Sequence, residues 1–270
     1  MVIAVVLVDD MGMIKRSEVA LEIFLWGLEV FSRRDCGLIL SGYRVCDADR
    51  RLDRLLERFK QQQWLEQQGR GKAATFTITE TGRQRLRVVR PAEQWDKPWD
   101  GRWRVFLFDL PAQRGKERMV LWRALRDAKM GLLQRSVWIW PQPVTKLFEQ
   151  VVHAHSIPEC FCGFEAGQLF LCSDAEVVAS AWDQTAIAHA HETYLKHLVA
   201  TTASVRRAPN LHELATVARI ERDAYQFAFR MDPLLPRQLW PKTYRGAQVE
   251  NRHQAFLAEL RRCAPQLLTP

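Results

Sequence analysis

Apolar residues recur at steps of three and four along several stretches, and the spacing predicts where the helices lie. The clearest case is 47–61 (DADRRLDRLLERFKQ), where Leu52, Leu55, Leu56 and Phe59 fall on one face at 100° per residue. Asp47 or Asp49 supplies a cap for that helix. Residues 16–31 predict an amphipathic helix with Ala20, Phe24, Leu28 and Phe31 on one stripe, joined there by Gly27. Gly37 and Gly42 break up 33–46, which reads as a short helix followed by a turn. After 61 the pattern changes period. Trp64-Leu65 opens a short strand, Gln67–Lys72 makes a glycine-bearing turn, and Thr75–Ile78 alternates as a returning strand. Thr79–Gly82 leads into another short helix, and 83–98 reads as a basic, proline-bearing linker with a boundary near 91–96.

The second stretch mixes strands and helices. Trp103–Leu110 predicts a central strand and 115–130 a helix with Leu121, Trp122, Leu125 and Ala128 on one side. A second strand is expected over 132–140, a helix over 143–155, and two short strands over Cys160–Phe164 and Gln168–Ser173. From Asp174 the chain turns helical: 175–204, a break at Ala208-Pro209-Asn210, then 211–230. Three prolines exclude a regular helix over 231–246, and Glu250–Arg262 predicts the last one. The fold class expected is α+β and multidomain. A winged helix-turn-helix spans 1–92, a ferredoxin-like α/β sandwich 93–175, and a helical domain 176–270.

Charge sharpens this outline. The chain of 270 residues has a formal net charge of +8. Residues 33–90 hold 14 Lys and Arg against 7 Asp and Glu, so most of the excess sits in one early block. Such a block favours a polyanionic partner, and nucleic acid is the common one. On the 47–61 helix Arg50, Arg51, Arg54 and Arg58 gather beside the apolar face, and Arg70 and Lys72 tip the following hairpin. Helix, turn, helix and basic-tipped hairpin is the order of a winged helix, so these six cations are the candidate contacts to double-stranded DNA.

Other chemistry is sparse. There is no nucleophile elbow, P-loop or G-x-G-x-x-G, so no enzyme activity and no cofactor are expected. His153, His155, Cys160 and Cys162 crowd together, but their one-residue gaps differ from structural zinc spacing, and Cys160 and Cys162 are expected on one buried strand face. His189 and His191 diverge around a helix, and Ser136 reads as packing. No metal is expected. Asp109 ends the apolar run WDGRWRVFLFDLP. It is either a magnesium ligand or a structural carboxylate paired with loop amides or with Arg114, Lys116 and Arg118, and the cations favour the second. The six cysteines form no CxxC pair, Val2–Val8 is too short to span a bilayer, and a cytoplasmic protein without a membrane partner is expected.

WDGRWRVFLFDLP, followed by RMVLWRALRDAKMGLLQRSVWIWP and later by FRMDPLLPRQLWP, resembles the signature of the PaaX family of bacterial transcriptional repressors. Here Lys242–Gly246 stands where the family usually carries Asp-Trp-Pro-Gly. The resemblance implies a homodimeric repressor released by an acyl-CoA-type effector. The ten tryptophans offer lining for such an acyl or aromatic-acid ligand. The central segment is also similar to the ferredoxin-like, metal-dependent nuclease subunit of CRISPR adaptation complexes, in which Asp109 would be the acid at the first strand's end.

Overall fold

A computed structural model describes residues 48–69, 75–85, 91–143, 161–208 and 210–268. The helices expected over 16–31, 33–46 and, beyond its first residue, 143–155 lie outside these. The fold is α+β, with two antiparallel sheets among the described residues. The chain forms two compact units. One holds residues up to Val89 with His197–Asp223 and His253–Pro270; the other holds Arg90–Lys196 with Ala224–Arg252.

In the first unit, α1 (Ala48–Gln61) forms where the leucine stripe predicts it. Leu56 and Phe59 are buried, and Phe59 stacks on Trp64 with ring centroids 5.7 Å apart. The helix stops as Gln63 takes a left-handed φ of 57° and Trp64 N donates to Phe59 O at 2.8 Å, a closure usually made with glycine. The chain then reverses through β1 (Leu65–Gln68) and β2 (Thr75–Ile78), paired Leu65 to Ile78 and Gln67 to Phe76. Leu65, Phe76 and Ile78 point inward with α1's apolar face.

Thr79 then caps α2 (Glu80–Arg85): its hydroxyl donates to Gln63 O at 2.6 Å and accepts from Gly82 N at 3.0 Å. A Cβ at Gly82 would stand 2.4 Å from Trp64 O, which is backbone and has little room to move. Gly82→Ala is therefore expected to destabilise this unit by about 2 kcal/mol. Urea unfolding followed by circular dichroism measures it, and an unchanged midpoint contradicts the packing described.

The second unit is built on a four-stranded sheet in the order β4-β5-β3-β6, with β3 (Trp103–Phe108), β4 (Gly131–Gln134), β5 (Val137–Trp140) and β6 (Phe161–Ala166). A short helix α3 (Pro91–Trp95) precedes it, and α4 (Gly115–Asp127) links β3 to β4. Phe106, Phe108 and Trp138 pack with Leu121 and Leu125 of α4. Trp103 and Ile139 pack with Val177, Val178 and Ala181 of α5 (Asp174–Ala181). Helices α6 (Gln184–Arg207), α7 (Leu211–Ala228) and α8 (Gly246–Leu268) follow, and the division between units falls inside each of them.

Four expectations are corrected here. Residues 132–140 are a hairpin, because polar Gln134-Arg135-Ser136 interrupts the apolar run and turns the chain. Ser136 is therefore an exposed turn residue and packs in no core. Residues 168–173 form no strand; Leu171 there has a left-handed φ of 61°. The stretch expected as a linker carries helical turns, with Trp95 only 2% exposed against Phe229, Trp240 and Tyr244. Cys162, expected in the core, is exposed.

Candidate nucleic-acid interface

Helix α1 separates two jobs by angle. Positions 50, 51, 54 and 58 fall within an arc of about 100°, centred some 140° from the Leu52–Phe59 stripe. Arg54 and Arg58 are exposed, and among the described residues neither has an ion-pair partner. Arg50 and Arg51 stand on the same helix, with the description of their side chains left aside; Arg70 and Lys72 lie outside the described residues. Lys60, at the helix end, is already engaged: it pairs with Glu57 and donates to Gln67 Oε1 at 3.0 Å. Burial of Leu56 and Phe59 against the hairpin thus holds the helix by its back and leaves two guanidinium groups forward, in the planar form that bonds guanine edges and phosphates.

The acid of interest in WDGRWRVFLFDLP changes on inspection. Asp109 is exposed beyond the end of β3 and has no hydrogen bond or ion pair among the described residues. The cations expected to hold it are elsewhere: Arg114 reaches Glu117 at 3.6 Å, and Arg118 donates to Leu110 O. The engaged acid is Asp100. Its carboxylate receives both terminal nitrogens of buried Arg104, at 2.8 and 2.5 Å, and Arg104 also donates to Glu165 and to Pro141 O. The Arg104 hydrogen bond holds the Asp100 carboxyl below its usual range, and Asp100 in turn raises the Arg104 guanidinium. This bidentate pair stitches β3, β6 and the turn after β5.

A second polar cluster went unread in the sequence. Asp232, 1% exposed, accepts from Tyr244 Oη at 2.7 Å and from Leu234 N at 2.7 Å, and its Oδ2 lies 3.0 Å from His191 Nε2. Trp95 Nε1 donates to Tyr244 Oη at 3.0 Å. Burial and the Asp232 charge push the Tyr244 hydroxyl far above its ordinary range. Lys129 donates to Phe229 O at 2.8 Å, and burial pulls its ammonium down while Asp232 opposes that. The sequence signal was an acid set among prolines in RMDPLLP. Asp232 is the joint of that segment, and its full set of partners marks it as structural.

His189 is exposed while His191 is buried, so the two do not converge; His153, His155 and Cys160 lie outside the described residues. Among the described residues no three His, Cys, Asp or Glu are grouped to hold a metal ion, and no helix is long and apolar enough to cross a membrane.

Comparison with known proteins bears on the middle of the chain. Residues 96–178 match the family model described as the PaaX protein central Cas2-like domain. The resemblance of this region to the PaaX family is thereby borne out. Among solved structures, the chain is similar to an uncharacterized protein of Mycobacterium tuberculosis, Rv0674, with a TM-score of 0.54 and 18% identity over 94% of this chain and 98% of that one. This likeness concerns the fold alone. No curated protein matches the chain.

Proposed function

We propose that this chain is a sequence-specific, DNA-binding transcriptional regulator of the PaaX type, acting as a cytoplasmic homodimeric repressor. Residues 1–92 form its winged helix, 93–175 a ferredoxin-like domain and 176–270 a helical domain. The observation that carries the reading is the forward arginine face of α1, backed by an apolar core and followed at once by an antiparallel hairpin. Arg50, Arg51, Arg54 and Arg58 meet the major groove, while Arg70 and Lys72 anchor the wing on phosphate. The strand order β4-β5-β3-β6, with α4 between β3 and β4, supports the ferredoxin-like part. An acyl-CoA or aromatic acid is the effector class that releases the DNA.

A second reading, a magnesium-dependent nuclease, draws on the exposure of Asp109 at a strand end. One experiment separates the two. Purified full-length protein is mixed with fragmented genomic DNA and magnesium, and retained fragments are sequenced. The regulator reading expects a small set of intact fragments sharing one motif, equally retained by Asp109→Ala. Cleavage that Asp109→Ala abolishes supports the nuclease, and retention without sequence preference contradicts a specific regulator.

A further inference from the structure

The loop between β6 and α5, residues 167–173, is apolar and points outward. Phe170 is 77% exposed and Leu171 wholly so, with Leu171 held in a left-handed conformation that projects it. On the neighbouring strand Phe164 is 51% exposed. Phe170 and Leu171 together offer on the order of 300 Å² of apolar surface, the scale at which a patch on a monomer marks an interaction site. Beside them lies an open hollow of about 200 Å³ lined by Gly101, Trp103, Ala166, Leu169 and Cys172, with Asp174 at its rim. The Asp174 carboxylate is occupied by Trp103 Nε1 at 2.7 Å, so the floor is an aromatic ring whose polar atom is already satisfied.

We infer that a second copy of this chain occupies this surface, each copy seating its Phe170–Leu171 tip in the other's hollow. Several features point to self-association. Residues 166–173 carry no charge, which removes the attraction a nucleic acid or an acidic peptide would need. Projection and hollow are adjacent on one face, and a two-fold axis needs such a self-complementary patch. The outer strand of the described sheet, β6, runs along the same edge, so its backbone groups are available to the same neighbour. Gly101 and Gly167 at the hollow's mouth leave room for the incoming side chains: a Cβ at Gly101 would meet nothing within 4 Å, and one at Gly167 only Arg102 Cγ at 3.9 Å.

The inference rests on the dimeric part of the reading above and assigns that dimer its surface. The test is sedimentation velocity of the full chain against the Phe170→Asp/Leu171→Asp double variant, with Leu171→Met as the conservative control. Wild type and Leu171→Met are expected to sediment as dimers. The double variant is expected to weaken dimerisation by about 100-fold or more, because two carboxylates would have to enter an apolar seat. Thermal melts by circular dichroism should coincide for all three, since both positions are exposed. A monomeric wild type, or a double variant that stays dimeric, overturns the assignment. A dimer that fails to bind DNA leaves this interface standing and sinks the regulator reading; DNA binding by a monomeric wild type does the reverse.

Discussion

Asp232→Ala is expected to lower the stability of the chain by about 3–5 kcal/mol, the largest loss from any single side chain considered above. The reason is what stays behind. Tyr244 Oη and Leu234 N would each lose an acceptor at 2.7 Å, and buried His191 would lose the carboxylate 3.0 Å from its Nε2. Each orphaned group in a dry setting costs about 1–3 kcal/mol. The Lys129 ammonium, already pulled down by burial, would lose the charge that opposes that shift. Tyr244→Phe removes one hydroxyl and is expected to cost less, about 1–2 kcal/mol, because Asp232 keeps its backbone partner. Urea unfolding of both variants tests this ordering. A loss below about 1 kcal/mol for Asp232→Ala would show that the cluster does not hold the segment together.

The second large effect is on binding. Arg54→Ala combined with Arg58→Ala is expected to weaken operator affinity by about 100-fold or more, since each guanidinium contributes about 1–3 kcal/mol and a dimer loses two from each chain. Stability should hardly move: both side chains are exposed and, among the described residues, without ion-pair partners. An operator affinity unchanged in this variant would displace the contact from α1. Lys60→Ala is the contrasting control, because that ammonium is tied to Glu57 and Gln67.

Much of this was legible where the signal is local. The Leu52–Phe59 period placed α1 and its arginine face, and Arg54 and Arg58 are exposed as that period requires. The β1–β2 pair and β3 followed from alternation. Periodicity reports which face is apolar, not which distant element covers it. The run 132–140 was apolar at both ends, so its polar middle was read through when it is a turn. Residues 168–173 looked like a strand because Leu169, Phe170 and Leu171 are apolar, yet two of them face outward.

The acids show the same limit. Asp109 stood out by its place at the end of a greasy strand, whereas Asp100, four residues before its partner Arg104, carries the ion pair. Asp232 finds His191, Tyr244 and, through Tyr244, Trp95, which lie 41, 12 and 137 positions away. No spacing rule reaches across such gaps; only the fold brings the groups together.

The central claim, that an arginine face on α1 reads DNA, is tested most directly by the salt dependence of binding to a selected fragment. If about six cations of the dimer sit on phosphates, the plot of log affinity against log salt should fall with a slope of roughly −5, and the Arg54→Ala/Arg58→Ala variant should be shallower by about 2–4. A wild-type slope near zero, or one that the double substitution leaves unchanged, would contradict the account.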